Sequence, residues 1–167
     1  MWTVRERQSG RERRRAQEFE TFVAGAAGRL LHTATLLTAE PLRPPGANPR
    51  AQRLLTAALA HTYAQWEWLR DEDPYDRTRR ELAVRFSHEV WRHRRPRGGL
   101  LDPLTPQERL VLVLRLYEGV AEEQVSALLG LPVERVRAIC NRSVATMRGT
   151  RRPTERRGAP GRPGVAR

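Results

Sequence analysis

The chain has no lysine, one isoleucine and a single cysteine, Cys140, among 167 residues. A lone cysteine excludes an internal disulfide and a zinc cluster built on cysteines, and its neighbours suit a buried small hydrophobe. The longest apolar run, around 110–116, is too short for a bilayer and contains Arg115. With no hydrophobic leader near the start, a cytoplasmic protein is expected. Alternating runs rich in Val, Ile, Thr and aromatics are also missing, which excludes an extended sheet and leaves an all-α fold. No catalytic or metal-binding constellation stands out. His32, His61, His88 and His93 are scattered without HExxH or Cys/His spacing. Gly98-Gly99 is an isolated pair, and Asp71, Glu72 and Asp73 read as a helix end and turn. Neither an enzyme nor a cofactor or metal is expected.

The net charge is +12, and all basic residues are Arg. Such an excess suggests a polyanionic partner until it is located along the chain. Residues 1–15 hold six Arg and two Glu, net +4, and 148–167 hold seven Arg and one Glu, net +6, which leaves +2 between them. Within that middle, 77–97 carries eight Arg against Glu81 and Glu89, so the remainder is net acidic. One internal basic patch survives. A GC-rich coding sequence explains arginine over lysine as readily as phosphate recognition does, although the guanidinium fork suits phosphate.

The richest pattern is AEEQVSALLGLPVERVRAICNR, residues 121–142. Val125 and Leu129 face inward from a first helix, and Ser126 is small enough for a second helix to cross close by. Gly130 stands where a left-handed backbone costs a residue without Cβ least. Leu131 plugs the corner, Pro132 suits the opening turn of the second helix, and Val136 and Ile139 repeat at i, i+3 to hold it on the first. A short helical hairpin of any kind shares the apolar spacing; the glycine and the small residue agreeing with it favour a helix-turn-helix. Outward on the second helix stand Glu134, Arg135, Arg137, Ala138, Asn141 and Arg142, able to reach phosphates and base edges.

Two small helical units are expected. The boundaries are a disordered basic tail over 1–15, a helical unit over 16–95, a linker over 96–104, a second unit over 105–148 and a disordered Arg/Pro/Gly tail over 149–167. Helices are expected over 18–37, 49–69 and 75–94. PLRPPGANPR (41–50) breaks the first from the second, because its four prolines cannot stay inside a helix. Thr105-Pro106-Gln107-Glu108 reads as a capping box opening a helix that Gly119 closes.

The segment LTPQERLVLVLRLYEGVAEEQVSALLGLPVERVRAICNRSVATMR resembles the promoter-reading region 4 of extracytoplasmic-function sigma factors. FETFVAGAAGRLLHTATLLT, ALAHTYAQWEWL with Tyr63 and Trp66, and the basic stretch from Pro74 to Arg95 resemble that family's region 2, in the order of its small, actinobacterial type. The resemblance implies a DNA-binding, transcription-initiating protein whose partners are promoter DNA and core RNA polymerase, and which an anti-sigma factor could regulate. It assigns the upstream promoter element to Glu134, Arg135, Arg137, Ala138, Asn141 and Arg142. The downstream element falls to Arg85, Trp91, Arg92, Arg94 and Arg95. Trp66 belongs to an apolar stripe and to the core, whereas Trp91, flanked by Arg92 and His93, suits DNA contact.

Core-polymerase contact falls to Arg53, Leu54 and Thr56. There the family carries an acidic run with a glutamine, and this chain reads Arg50, Gln52, Arg53, Thr56 and Ala57. Two alternatives follow from that departure: a helix-turn-helix regulator that no longer joins polymerase, and an interaction protein that has lost DNA binding. Ile139 stands where the family often has Arg and suits the core.

Overall fold

The computed structural model describes residues 4–69 and 71–151, and these contain helices and turns without a strand. Six helices follow in order: α1 (Val4–Thr38), α2 (Pro49–Ala64), α3 (Pro74–His88), α4 (Pro106–Leu112), α5 (Glu122–Leu129) and α6 (Val133–Arg151). Short 3-10 turns, Trp66–Trp68 and Val90–His93, extend α2 and α3, and a π-helical turn, Val113–Tyr117, extends α4.

Each start has a local cause. Asp73 caps the start of α3 by accepting from the Tyr75 and Asp76 amides at 2.7 and 3.3 Å, so the acidic cluster expected to end the preceding helix opens the next one. At α4 the capping box is complete: Thr105 accepts from the Glu108 amide, and Glu108 accepts from the Thr105 amide. The first turn of α2 is served from outside. Glu40 accepts from the Arg50 and Ala51 amides at 3.1 and 2.8 Å, placing a carboxylate where the helix dipole favours one.

The arm expected to be disordered over 1–15 is helical from Val4 onward. Its Arg, Glu and Gln are good helix formers, and it is held laterally. The Arg15 guanidinium lies 4.3 Å over the Tyr63 ring and donates to the Tyr63 carbonyl. Phe19 packs between Tyr63 and Trp66 at 4.8 and 5.3 Å; Trp66 is half-buried in this aromatic group and lies outside the apolar core expected to hold it. Residues 149–151, assigned to the C-terminal tail, continue α6; the rest of that tail and residues 1–3 lie outside the described residues.

The segments 16–95 and 105–148, expected as two units, pack against each other, and one continuous apolar core runs from Ala26 to Cys140. The C-terminal half of α1 is the spine between them. Arg109, buried on α4, donates to the Leu37 carbonyl at 2.8 Å and to the His93 carbonyl. Glu118, whose side chain is fully buried, accepts from Thr33 and from the Tyr75 hydroxyl at 2.9 Å, with Arg29 and Arg79 at 3.6 and 4.0 Å. The π-helical turn delivers it there: the Glu118 amide bonds five residues back to Val113. The linker is seated as well. Gly99 donates to the Ala39 carbonyl at 3.0 Å, and a Cβ at Gly99 would run into that carbonyl.

Candidate nucleic-acid interface

The turn between α5 and α6 forms as the residue pattern requires. Gly130 has φ +64 and ψ 32, the left-handed conformation that ends α5, and Leu131 donates back to the Ser126 carbonyl at 3.1 Å. The Ser126 hydroxyl in turn donates to the Leu131 carbonyl. Val125, Val136 and Ile139 are buried, and so is Cys140, whose thiol burial pushes above its ordinary value. All six residues expected on the outer face, Glu134, Arg135, Arg137, Ala138, Asn141 and Arg142, are exposed.

Two arginines on this face are already oriented. Arg137 donates through Nε and Nη2 to Glu122 at 3.1 and 2.8 Å, and Arg142 donates to Glu108 at 2.9 Å. The hydrogen bond from Arg137 holds the Glu122 carboxyl below the usual range, and the charges of Arg137 and Arg115 add to the effect. Burial pushes Glu108 upward, but the Thr105 amide and hydroxyl and the Arg142 fork outweigh it and bring that carboxyl down. Arg135 and Asn141 have no side-chain partner among the described residues. The face therefore offers two free polar groups and two forks held by carboxylates that phosphate oxygens can replace.

The second expected surface is also assembled. Trp91 is 64 % exposed with the Arg92 guanidinium 4.8 Å over its ring, and Arg94 and Arg95 are exposed beside it. Arg85 pairs with Glu81 at 2.6 Å and Arg92 with Glu89 at 3.5 Å. Of the three residues assigned to polymerase, Arg53 and Thr56 are exposed. Leu54 is 7 % exposed and belongs to the core, because α2 turns it inward with Leu55 and Ala58. Arg53 lines one groove with Arg85, Glu89 and Arg92.

Arg109, Glu118, Tyr75, Arg50 and the buried His93 escaped sequence reasoning. Arg109, Glu118 and Tyr75 act through partners far away in the chain, and no local spacing marks them.

Residues 100–149 match the protein family described as sigma-70, region 4. The RNA polymerase sigma-E factor of Streptomyces coelicolor is 30 % identical over 156 aligned positions, which take in 78 % of this chain and 84 % of the relative. This chain belongs to the sigma-factor family. The sigma-E factors of Streptomyces antibioticus and Streptomyces avermitilis are 30 % and 28 % identical, each across 78 % of this chain and 83 % of its own length. No solved structure matches it. The likeness to sigma-E factors of the extracytoplasmic-function type extends well beyond region 4 into the first helical unit. A regulator that kept only the helix-turn-helix is therefore not the favoured reading. As a sigma factor the chain places region 4 on α4, α5 and α6, with the outer face of α6 turned away from the packed joint. No helix among the described residues is long and apolar enough to cross a membrane.

Proposed function

We propose that the chain joins core RNA polymerase as a non-catalytic subunit and directs it to promoters in the cytoplasm, reading DNA from two surfaces. Arg135, Arg137, Asn141 and Arg142 on α6 contact the upstream element. Phosphate contacts from the arginines set register, and Asn141 or Arg135 supplies base discrimination. Arg85, Trp91, Arg92, Arg94 and Arg95 hold the downstream element, where the exposed ring offers a stacking platform worth about 1–3 kcal/mol per base. Of the expected polymerase contact, Arg53 and Thr56 are exposed on α2 and Leu54 is buried. The unit division at 96–104 corresponds in this reading to the join between region 2 and region 4.

The observation that carries the reading is the sorting of α6: the residues that hold it to α5 are buried, and the residues able to reach DNA are all exposed. The test is co-purification of the full chain with core polymerase, followed by transcription from candidate promoters with and without the chain. Expected is a complex that initiates at sites the core enzyme alone ignores. A chain that binds DNA but is never retained by core polymerase would restore the regulator reading. An anti-sigma-type regulatory protein would appear in the same assay as a competitor of polymerase.

A further inference from the structure

A groove of about 250 Å³ opens between the start of α2 and the end of α3, lined by Arg50, Arg53, Arg85 and Arg92, by the single carboxylate of Glu89 and by His93. Its charge is unbalanced. Arg85 is matched by Glu81 and Arg92 by Glu89, but Arg50 and Arg53 form no ion pair among the described residues. Arg50 and Arg97 both donate to the Arg92 carbonyl, at 3.5 and 2.7 Å, so two guanidinium groups converge on a single oxygen. The nearby acids are engaged elsewhere. Glu40 accepts from the α2 amides, and Asp102 accepts from the Arg97 and Gly98 amides. His93 is 4 % exposed and stacked on Phe86 at 4.7 Å, and neither of its ring nitrogens has a hydrogen-bond partner. A buried polar ring without a protein partner, beside a cluster of like charges, leaves room for an anion from outside to complete the site.

We propose that this groove takes a phosphate of the DNA backbone, so that Arg50 and Arg53 act as DNA contacts continuous with Arg85 and Arg92. This rests on the promoter-reading function argued above. DNA is favoured over an acidic protein surface because the groove adjoins Trp91 with Arg92 across its ring, a pairing of base platform and backbone clamp. It also gives Arg53 a partner that its sign suits.

The test compares the full-length wild type with Arg53→Gln and with the Arg50→Gln, Arg53→Gln double variant, on one mixed-sequence duplex across a salt series. Each lost phosphate contact flattens the slope of log affinity against log salt by about 0.9. Expected is a loss of one to two such steps, with an accompanying drop in affinity at low salt and a partial return in Arg53→Lys. NMR titration of the His93 ring is the second readout. In the wild type, short duplex DNA raises its protonation midpoint from about 4, and the double variant loses that response. Inorganic phosphate alone, as a further arm, separates a general oxyanion pocket from one requiring DNA; a response to phosphate with an unchanged DNA salt slope would overturn the proposal. Unchanged DNA binding together with altered retention on core polymerase would make the groove a protein contact, overturning the proposal and leaving the sigma-factor reading intact. A wild type that binds neither DNA nor polymerase would overturn both.

Discussion

At Glu118 a carboxylate faces Arg29 and Arg79 at 3.6 and 4.0 Å with none of its side chain exposed. Four residues later, Glu122 faces Arg115 and Arg137 at 3.6 and 2.8 Å with 19 % of its side chain exposed and the Arg137 fork more than half in solvent. The ingredients are alike and the settings differ. Glu118 has lost its water, and the hydroxyls of Thr33 and Tyr75 replace it. Burial, and then the adjoining carboxylate, push the Tyr75 hydroxyl well above the ordinary phenol value, so it remains a donor. Glu122 keeps access to water, so it can release Arg137 to another anion at small cost. A buried carboxylate among arginines thus fixes how two units meet, whereas an exposed one orients a cation for exchange.

Removing the buried member should do the most damage. Glu118→Ala leaves Thr33, Tyr75 and Arg79 without their shared acceptor, and breaking such a buried network costs on the order of 3–5 kcal/mol. Chemical denaturation of the full chain measures it. A loss below about 1 kcal/mol, the range of a surface pair, would erase the contrast.

The next effect is a pH dependence on the buried side of the comparison. Burial first, then the charges of Arg97, Arg109, Arg50 and Arg92, lower His93 from 6.5 to about 4. Between those values the unfolded chain binds a proton that the folded chain refuses, so stability falls as pH drops from 6.5 towards 4. Integrated over the window the loss is on the order of 3 kcal/mol. Denaturation midpoints at several pH values should trace this decline, and His93→Phe should flatten it. Glu108 acts lower down: its depressed carboxyl contributes above the usual carboxylate range and stops contributing as pH falls through its folded value.

The smallest effect on stability belongs to the exposed face. Arg142→Ala breaks its pair with Glu108 and should change stability by less than about 1 kcal/mol, while weakening promoter DNA binding roughly tenfold or more. If unfolding shifts more than DNA affinity does, the pair is structural and α6 must read DNA through Arg135 and Asn141.

The same contrast explains what the chain's residues disclosed before its coordinates. The helix-turn-helix was legible because its determinants are local: Val125 to Leu131 and Val136 to Ile139 fall at helical spacing around one glycine, and the capping box spans four residues. The outer face of α6 followed by subtraction. The joint was not legible. Arg109 meets Leu37 across 72 positions and Thr33 meets Glu118 across 85, and a single polar residue has no periodicity to announce such a partner. The helical arm from Val4 was missed for a related reason: Arg15 anchors it on Tyr63, 48 residues away. Leu54 was assigned to a surface by family position, although the apolar stripe it shares with Leu55 and Ala58 already pointed inward.

The seating of Gly99 against Ala39 turns the protein into a caliper. Once that amide is pinned, the slack between the jaws is no longer the whole stretch 96–104 but residues 100–104, at most about 18 Å even fully extended, and Leu101 and Leu104 are buried within it. On the proposed two-surface reading, a duplex held by both is measured against a set opening. Each base pair added between the two contacted segments lengthens the span by about 3.4 Å and turns the far segment by roughly 35° around the axis, given about 10–10.5 base pairs per turn. A spacer of the wrong length must then be met by bending or twisting DNA, or by prising Arg109 from the carbonyls of Leu37 and His93.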